Sequence, residues 1–216
     1  MLIRQIMTKR PVTISADTSV SDALGTMHEK KVHRLPVLDR KGKLVGIVAE
    51  SDLLYASPSP ATSLSVWEIH ALLAKLNVEK VMTRKLITVS DDAPVEEAAQ
   101  IMVENHIGGL PVLHDKVLAG IVTETDLFKV FVSMLGGYRS GVRVSAKISG
   151  AKGTFAKITG AISKAGGNIV GLGFSEFTRG SEEDWEMTIK VQDLSKSKLV
   201  TALKPVVRKI NDARTM

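Results

Sequence analysis

The feature that most narrows the fold is a repeat within the first 135 residues. Displaced by 75 positions, the chain matches itself at Met7-Thr8 and Met82-Thr83, at Thr13 and Thr88, and at Asp17 and Asp92. The match continues through Val20, Ala23 and Met27 against Val95, Ala98 and Met102, and through "LPVL" at 35–38 against "LPVL" at 110–113. Beyond that the displacement falls to 74, so that "GIVAESDLL" at 46–54 returns as "GIVTETDLF" at 120–128. A register held over ~50 residues and broken once, at a turn, marks a duplicated structural unit.

Periodicity gives each copy its elements. Val20, Ala23, Leu24 and Met27 recur at helical spacing, as do Val95, Ala98, Ala99 and Met102. An extended run precedes each helix ("VTIS", "ITVS"), two follow it ("RLPVLD" and "KLVGIVA"; "GLPVLH" and "VLAGIVT"), and "ESDLL" or "ETDLF" opens a last helix. The copy therefore reads β-α-β-β-α. Between the copies, "SPSPATS" at 57–63 is rich in chain breakers. Behind it Trp67, Leu72, Leu73 and Leu76 stand at helical spacing, the pattern of a helix that packs the copies together.

Gly136-Gly137 reads as a hinge into a different pattern. Val142, Val144, Ala146 and Ile148 alternate as one strand face, and Phe155, Ile158, Ile162 and Ala165 line a helix that Gly166-Gly167 stops. "IVGLGFSEF" and "WEMTIKV" read as two more strands, 195–204 as a helix ended at Pro205, and "VVRKI" as a fourth strand. The order β-α-β-β-α-β is the ferredoxin-like arrangement. The expected class is α+β, with units at 1–57, 77–135 and 138–216 and a linker with its packing helix at 58–76.

Composition enters through what it excludes. With 44% hydrophobic and 24% charged residues the chain has enough apolar surface for packed cores. No apolar run approaches the ~20 residues of a membrane span, and "MLIRQIMTKR" reads as neither signal peptide nor anchor. The absence of cysteine excludes disulfides and thiolate chemistry and fits a cytoplasmic location. Five histidines, at 28, 33, 70, 106 and 114, show no metal-ligand spacing, and neither a G-x-x-x-x-G-K loop nor a nucleophile elbow occurs, so no catalytic or metal-binding residue is assigned. Residues 1–135 carry 15 Lys and Arg against 16 Asp and Glu, whereas residues 136–216 carry 14 against 7, so the net charge of +6 sits in the C-terminal part. Aromatics at 4% and no helix-turn-helix pattern argue against nucleic acid as its partner.

The repeated stretch carries the chemistry. Thr123 and Asp126, three apart where a strand becomes a helix, fit two readings. They form a capping box, or the carboxylate accepts from vicinal ribose hydroxyls while the hydroxyl donates to a phosphate near free helix N–H groups. The first copy keeps Asp52 but has Ala49 in place of the threonine, with Ser51 available as a cap one residue later. "LPV" offers apolar backbone to a flat base, and Gly108-Gly109 admits a close approach.

These residues, "MT…TIS…VSDALGTMHEKKVHRLPVLD…GKLVGIVAESDLL" and "MT…TVS…VEEAAQIMVENHIGGLPVL…LAGIVTETDLF", resemble a tandem pair of CBS domains over nearly all of 1–135. The resemblance implies a module that binds adenosine-containing ligands (AMP, ADP, ATP or S-adenosylmethionine) in clefts between repeats and forms a homodimer. Carried over by motif, it assigns Thr88, Ile107, Gly108, Gly109, Leu110, Pro111, Thr123 and Asp126 to the second copy. To the first it assigns Thr13, Val32, His33, Arg34, Leu35, Pro36 and Asp52, with Ala49 departing from the pattern. "GVRVSAKISGAKGTFAKITGAISKAGGNIVGLGF" is similar to an ACT domain. That similarity implies an effector site, often for an amino acid and often at a dimer interface, at Gly153, Thr154 and Asn168, in a loop lacking the proline frequent in that family. The combination resembles the acetoin-utilisation protein B family. The expected function is a non-catalytic sensor that signals to a protein partner; the alternative is an interaction module whose basic C-terminal domain docks an acidic protein or nucleic acid.

Overall fold

The computed structural model describes residues 1–56, 65–175 and 184–216, which divide into two compact units, 1–127 and 128–216. The breaker-rich stretch 57–63 and the end of the strand expected at "IVGLGFSEF" lie outside the described residues.

The first unit begins with β1 (Thr8–Lys9). The first repeat then runs β2 (Ile14–Ser15), α1 (Val20–Lys30), β3 (Arg34–Leu38), β4 (Leu44–Ala49) and α2 (Glu50–Tyr55). After α3 (Val66–Lys75) the second repeat runs β5 (Val89–Ser90), α4 (Val95–Asn105), β6 (Gly109–His114), β7 (Val117–Thr123) and α5 (Glu124–Met134), a helix whose residues from Phe128 onward fall in the second unit. In each repeat a parallel pair, β2 with β3 or β5 with β6, is extended by an antiparallel hairpin to β4 or β7. Both α1 and α4 end on a residue in the left-handed region, Lys31 and His106, which turns the chain back towards the sheet.

The repeats are not independent. The segment ahead of each one adds to the other's sheet: Thr8 pairs with Ile121 on β7, and Thr83 bridges Ile47 on β4. The short turns beside these contacts cross as well. Ile3, wholly buried, joins the core of Leu110, Val112 and Val122, and Val78 joins that of Leu35, Val37 and Val48. Glycine permits the crossing. A methyl group at Gly120 would sit 2.6 Å from Met7 Sδ and 2.8 Å from the Thr8 carbonyl, and one at Gly46 would strike Met82. The repeated Met-Thr and Gly-Ile-Val therefore interlock with each other across copies.

Helix α3 departs from expectation. Leu73 is buried and Leu76 partly so in the first repeat's core, and the helix packs on α1, but Trp67 is 85% exposed and Leu72 lies out with it. It adds to one repeat; its apolar stripe is wider than the face it covers.

The second unit carries β8 (Val142–Ser149), α6 (Thr154–Lys164), β9 (Asn168–Ser175), β10 (Asp184–Gln192), α7 (Lys196–Leu203) and β11 (Lys209–Thr215), with antiparallel sheet order β11-β8-β10-β9, the ferredoxin-like topology. Val142, Val144, Ala146 and Ile148 meet Ile158 and Ile162 of α6 and Leu199 and Leu203 of α7 in one core. Each fully buried aliphatic side chain of this kind contributes ~1.5–3 kcal/mol. Val206 and Val207 pack on the core from a turn, so the last strand starts later than expected, at Lys209. The Gly-Gly pair is packed: a methyl at Gly136, in the left-handed region, would sit 2.9 Å from the Val170 carbonyl of β9, and one at Gly137 would sit 2.9 Å from the Val132 carbonyl of α5.

Candidate functional site

The two turns from strand to helix are built alike and finished differently. At the second, Thr123 N and Oγ1 donate to Asp126 Oδ2 at 3.0 and 2.8 Å, and Asp126 N donates to Thr123 Oγ1 at 3.4 Å, a complete capping box. At the first, Asp52 Oδ2 accepts from Ala49 N at 2.8 Å, while no side chain caps the helix and Ser51 does not step in. Capping does not exhaust a carboxylate, which has about four acceptor sites.

A cavity of about 260 Å³ opens at the first of these turns. One wall is Ile47, Ala49, Ser51 and Asp52 with Arg34; the other is Thr83, Lys85 and Ile87, then His106, Ile107, Gly108, Gly109 and Pro111. Each wall comes from a different repeat. Asp52 thus meets the segment expected to serve Asp126. The crossing of Thr83 onto β4 brings the walls together.

The chemistry of the lining is mixed. Isoleucines and Pro111 supply flat apolar surface, Asp52 a carboxylate at a helix start, and Arg34 and Lys85 two cations. Arg34 explains the paired glycines: a methyl at Gly108 would lie 2.5 Å from its Nη2 and 2.8 Å from Glu124 Oε2, and one at Gly109 would lie 3.2 Å from its Cδ. The glycines make room for a side chain of the other repeat.

The remaining expected residues fall elsewhere. Leu35 and Leu110 are wholly buried in the cores, and Val32 packs at the edge of the first. Thr13 and Thr88 flank β2 and β5, outside the cavity lining. His33 Nδ1 lies 2.7 Å from Glu50 Oε2, an exposed pair of small energetic weight. By the repeat's register, Val32, His33, Arg34 and Pro36 stand to the Thr123–Asp126 turn as 107–109 and Pro111 stand to Asp52. Five lining residues were given no site role from the sequence: Ile47, Thr83, Lys85, Ile87 and His106. For Thr83 the signal was the duplicated Met-Thr, whose partner lies in the other copy.

In the second unit, Gly153 caps α6 at φ +82°, and Thr154 Oγ1 donates to the Ala151 carbonyl at 2.9 Å. Asn168 opens β9 opposite Gln192, at the level of Val142, whereas the Gly153 loop follows Ser149 at the other end of the sheet. At ~3.3 Å per residue the strands separate them by roughly 20 Å. One chain does not unite this set. Beside the loop, Phe155 packs on Phe174 at 4.9 Å between ring centroids, and Phe174 stacks on Trp185 at 5.3 Å.

A family model of the CBS domain matches residues 3–59 and 78–133. The chain belongs to the CBS-domain family. Its CBS pair is similar to that of protein MJ0100, solved in complex with 5-methylthioadenosine and S-adenosyl-L-methionine, with 31% identity, 64% of this chain and 98% of that one covered, and a TM-score of 0.52. It is also similar to the Vibrio cholerae protein assigned to acetoin utilization (AcuB), with 29% identity over 62% of this chain and 93% of that one and a TM-score of 0.52. CBSX2, solved in complex with AMP, is 32% identical over 61% of this chain and 96% of that one, with a TM-score of 0.50. Among the described residues of the CBS protein, no group of three or more His, Asp or Glu is placed to hold a metal ion, and no helix is long and apolar enough to cross a membrane.

Proposed function

We propose that this CBS protein is a non-catalytic regulatory sensor that takes an adenosine-containing nucleotide in the cavity at Asp52. The observation that carries the reading is the composite lining: a helix-start carboxylate from one repeat, apolar surface and glycine backbone from the other, and two cations. In this reading Asp52 accepts from the ribose hydroxyls, Ile107 and Pro111 flank the base, and Arg34 with Lys85 meets a phosphate. Asp126 serves the pseudo-symmetric position. The complexes of MJ0100 and CBSX2 with adenosine compounds support the ligand class. Regulation follows if the ligand binds one arrangement of the protein more tightly than another.

The C-terminal unit is proposed as an ACT-type effector domain of a cytoplasmic homodimer, a reading supported by its topology. Edge strand β9, pairing antiparallel with its own copy, sets the start of one strand beside the end of the other. That arrangement would place Asn168 of one protomer towards the Gly153–Thr154 loop of its partner, where an amino acid is the proposed effector.

Calorimetric titration with AMP, ADP, ATP and S-adenosylmethionine tests the nucleotide reading. Saturable binding to the wild type, weakened at least about tenfold in Asp52→Ala, is the expected result. Undiminished affinity in folded Asp52→Ala and Asp126→Ala variants removes both assignments, and no binding by any of the four removes the function.

A further inference from the structure

The face of the second unit's sheet turned away from α6 and α7 pairs each of its described acids. Asp184 lies 3.0 Å from Lys147 Nζ and 2.8 Å from Arg208 Nε. Asp212 lies 3.5 Å from Arg143 Nη1 and 2.8 Å from Arg214 Nε, and Glu186 accepts from Asn211 Nδ2 at 2.9 Å. These side chains alternate with the buried Met187, Ile189, Val142 and Val144, so they share the face turned away from α6 and α7.

One cation remains. Lys190 stands on β10 directly opposite Arg143 on β8, which itself stands opposite Arg214 on β11, so three positive side chains cross the sheet in one row. Like charges directly opposite one another destabilise a sheet. Asp212 compensates two of the three. Lys190 is only 4% exposed, and among the described residues no hydrogen bond or ion pair reaches it. Its stem passes under the segment 135–137: a methyl at Gly136 would lie 3.3 Å from Lys190 Cδ, and one at Gly171, its cross-strand neighbour, would collide with the Leu135–Gly136 backbone. The stem of Lys190 is therefore buried while its ammonium has neither counter-ion nor acceptor among the described residues, and such a cation gains when an anion arrives.

We propose that Lys190 and Arg143 form an anion-binding site beneath the 135–137 segment, for the carboxylate or phosphate group of a small molecule. Lys190 supplies the point charge. Arg143, 34% exposed, is the accessible member; its Nη2 donates to Thr188 Oγ1 at 3.2 Å, which fixes the guanidinium beside the row and leaves further N–H groups for an oxyanion. The site lies at the Val142 end of the sheet, away from the Gly153–Thr154 loop.

The test is a titration of the full-length protein with sodium phosphate and, separately, with succinate, at ionic strength held constant with chloride. The amide NMR signals of Gly171, Thr188 and Lys190 are followed in the wild type, Lys190→Met and Arg143→Gln. Saturable shifts are expected with at least one anion, with the dissociation constant raised about tenfold or more in either variant. A response to phosphate alone assigns a phosphorylated ligand, a response to succinate alone assigns a carboxylate, and a response to both assigns the oxyanion without preference. Linear or absent shifts with both anions overturn the site, as does wild-type affinity in both variants. Arg143→Gln carries the decision if Lys190→Met does not fold.

Discussion

The two repeats offer the same strand-to-helix turn with one side chain changed, and the change alters how the carboxylate is held. At Thr123 the hydroxyl and the backbone N–H both bind Asp126, and the turn closes on itself as a helix cap. At Ala49 a single backbone N–H binds Asp52, and that turn lines the cavity with Arg34 and Lys85. A duplicated turn can therefore lose one hydroxyl and its capping bond with the fold untouched.

Three measurements test how far the two repeats are equivalent. The largest effect concerns the cores beneath the turns. Leu35 and Leu110 are equivalent in register and wholly buried, so Leu35→Ala and Leu110→Ala should each cost about 2–5 kcal/mol of unfolding free energy. Denaturant titration checks this; costs that differ by more than about 1 kcal/mol would show that the repeats are not energetic equals. The turns come next. Thr123→Ala should destabilise by about 1 kcal/mol and Ala49→Thr should stabilise by up to a similar amount, so that the pair of variants reverses the asymmetry. A neutral Ala49→Thr would mean that the first turn cannot close its box.

The smallest effect is a difference in pH response. His114 of the second repeat matches Asp39 of the first. The Asp91 carboxylate, 3.1 Å from its Nδ1, raises the His114 pKa above the usual imidazole value. Backbone N–H groups, that of Lys43 foremost and then that of Lys41, lower the pKa of Asp39 below the usual carboxylate value. His114 therefore contributes stability that is fully present below about pH 6.5 and is lost as pH rises through its raised folded value. Asp39 contributes stability present above about pH 3.9 and lost as pH falls through its lowered one. Both groups are exposed, so solvent screens both effects. Stability profiles of His114→Gln and Asp39→Asn should each flatten only in their own window; a change in the other window would refute the assignment.

Period and punctuation made much of this legible beforehand. The apolar stripes of α1, α4 and α6, the alternation of β8 and β10 and the glycine stop after α6 are local signals, and each produced its element where expected. Partner choice was not local. Met7-Thr8 and Met82-Thr83 were visible as a match, but nothing within a repeat says that each joins the other's sheet. The cavity was missed in its grouping for the same reason: Asp52 and Ile107 are assigned to different copies by sequence and to one space by the fold. Trp67 shows the converse error, a helical stripe with less surface opposite it than its spacing implies.

The crossing of the leading segments sets an order of events at the ribosome. Thr8 and Lys9 are made early, yet their seat on Gly120 and Ile121 is made roughly 110 residues later, several seconds or more at ~5–20 residues per second. Through that interval Ile3 and Met7 have no core to enter, and the first repeat lacks its bridge to Thr83 until synthesis is well past its own last helix. Neither repeat can be completed from its own sequence alone: the first waits for Thr83, and the second takes up Thr8 only after Ile121 has emerged.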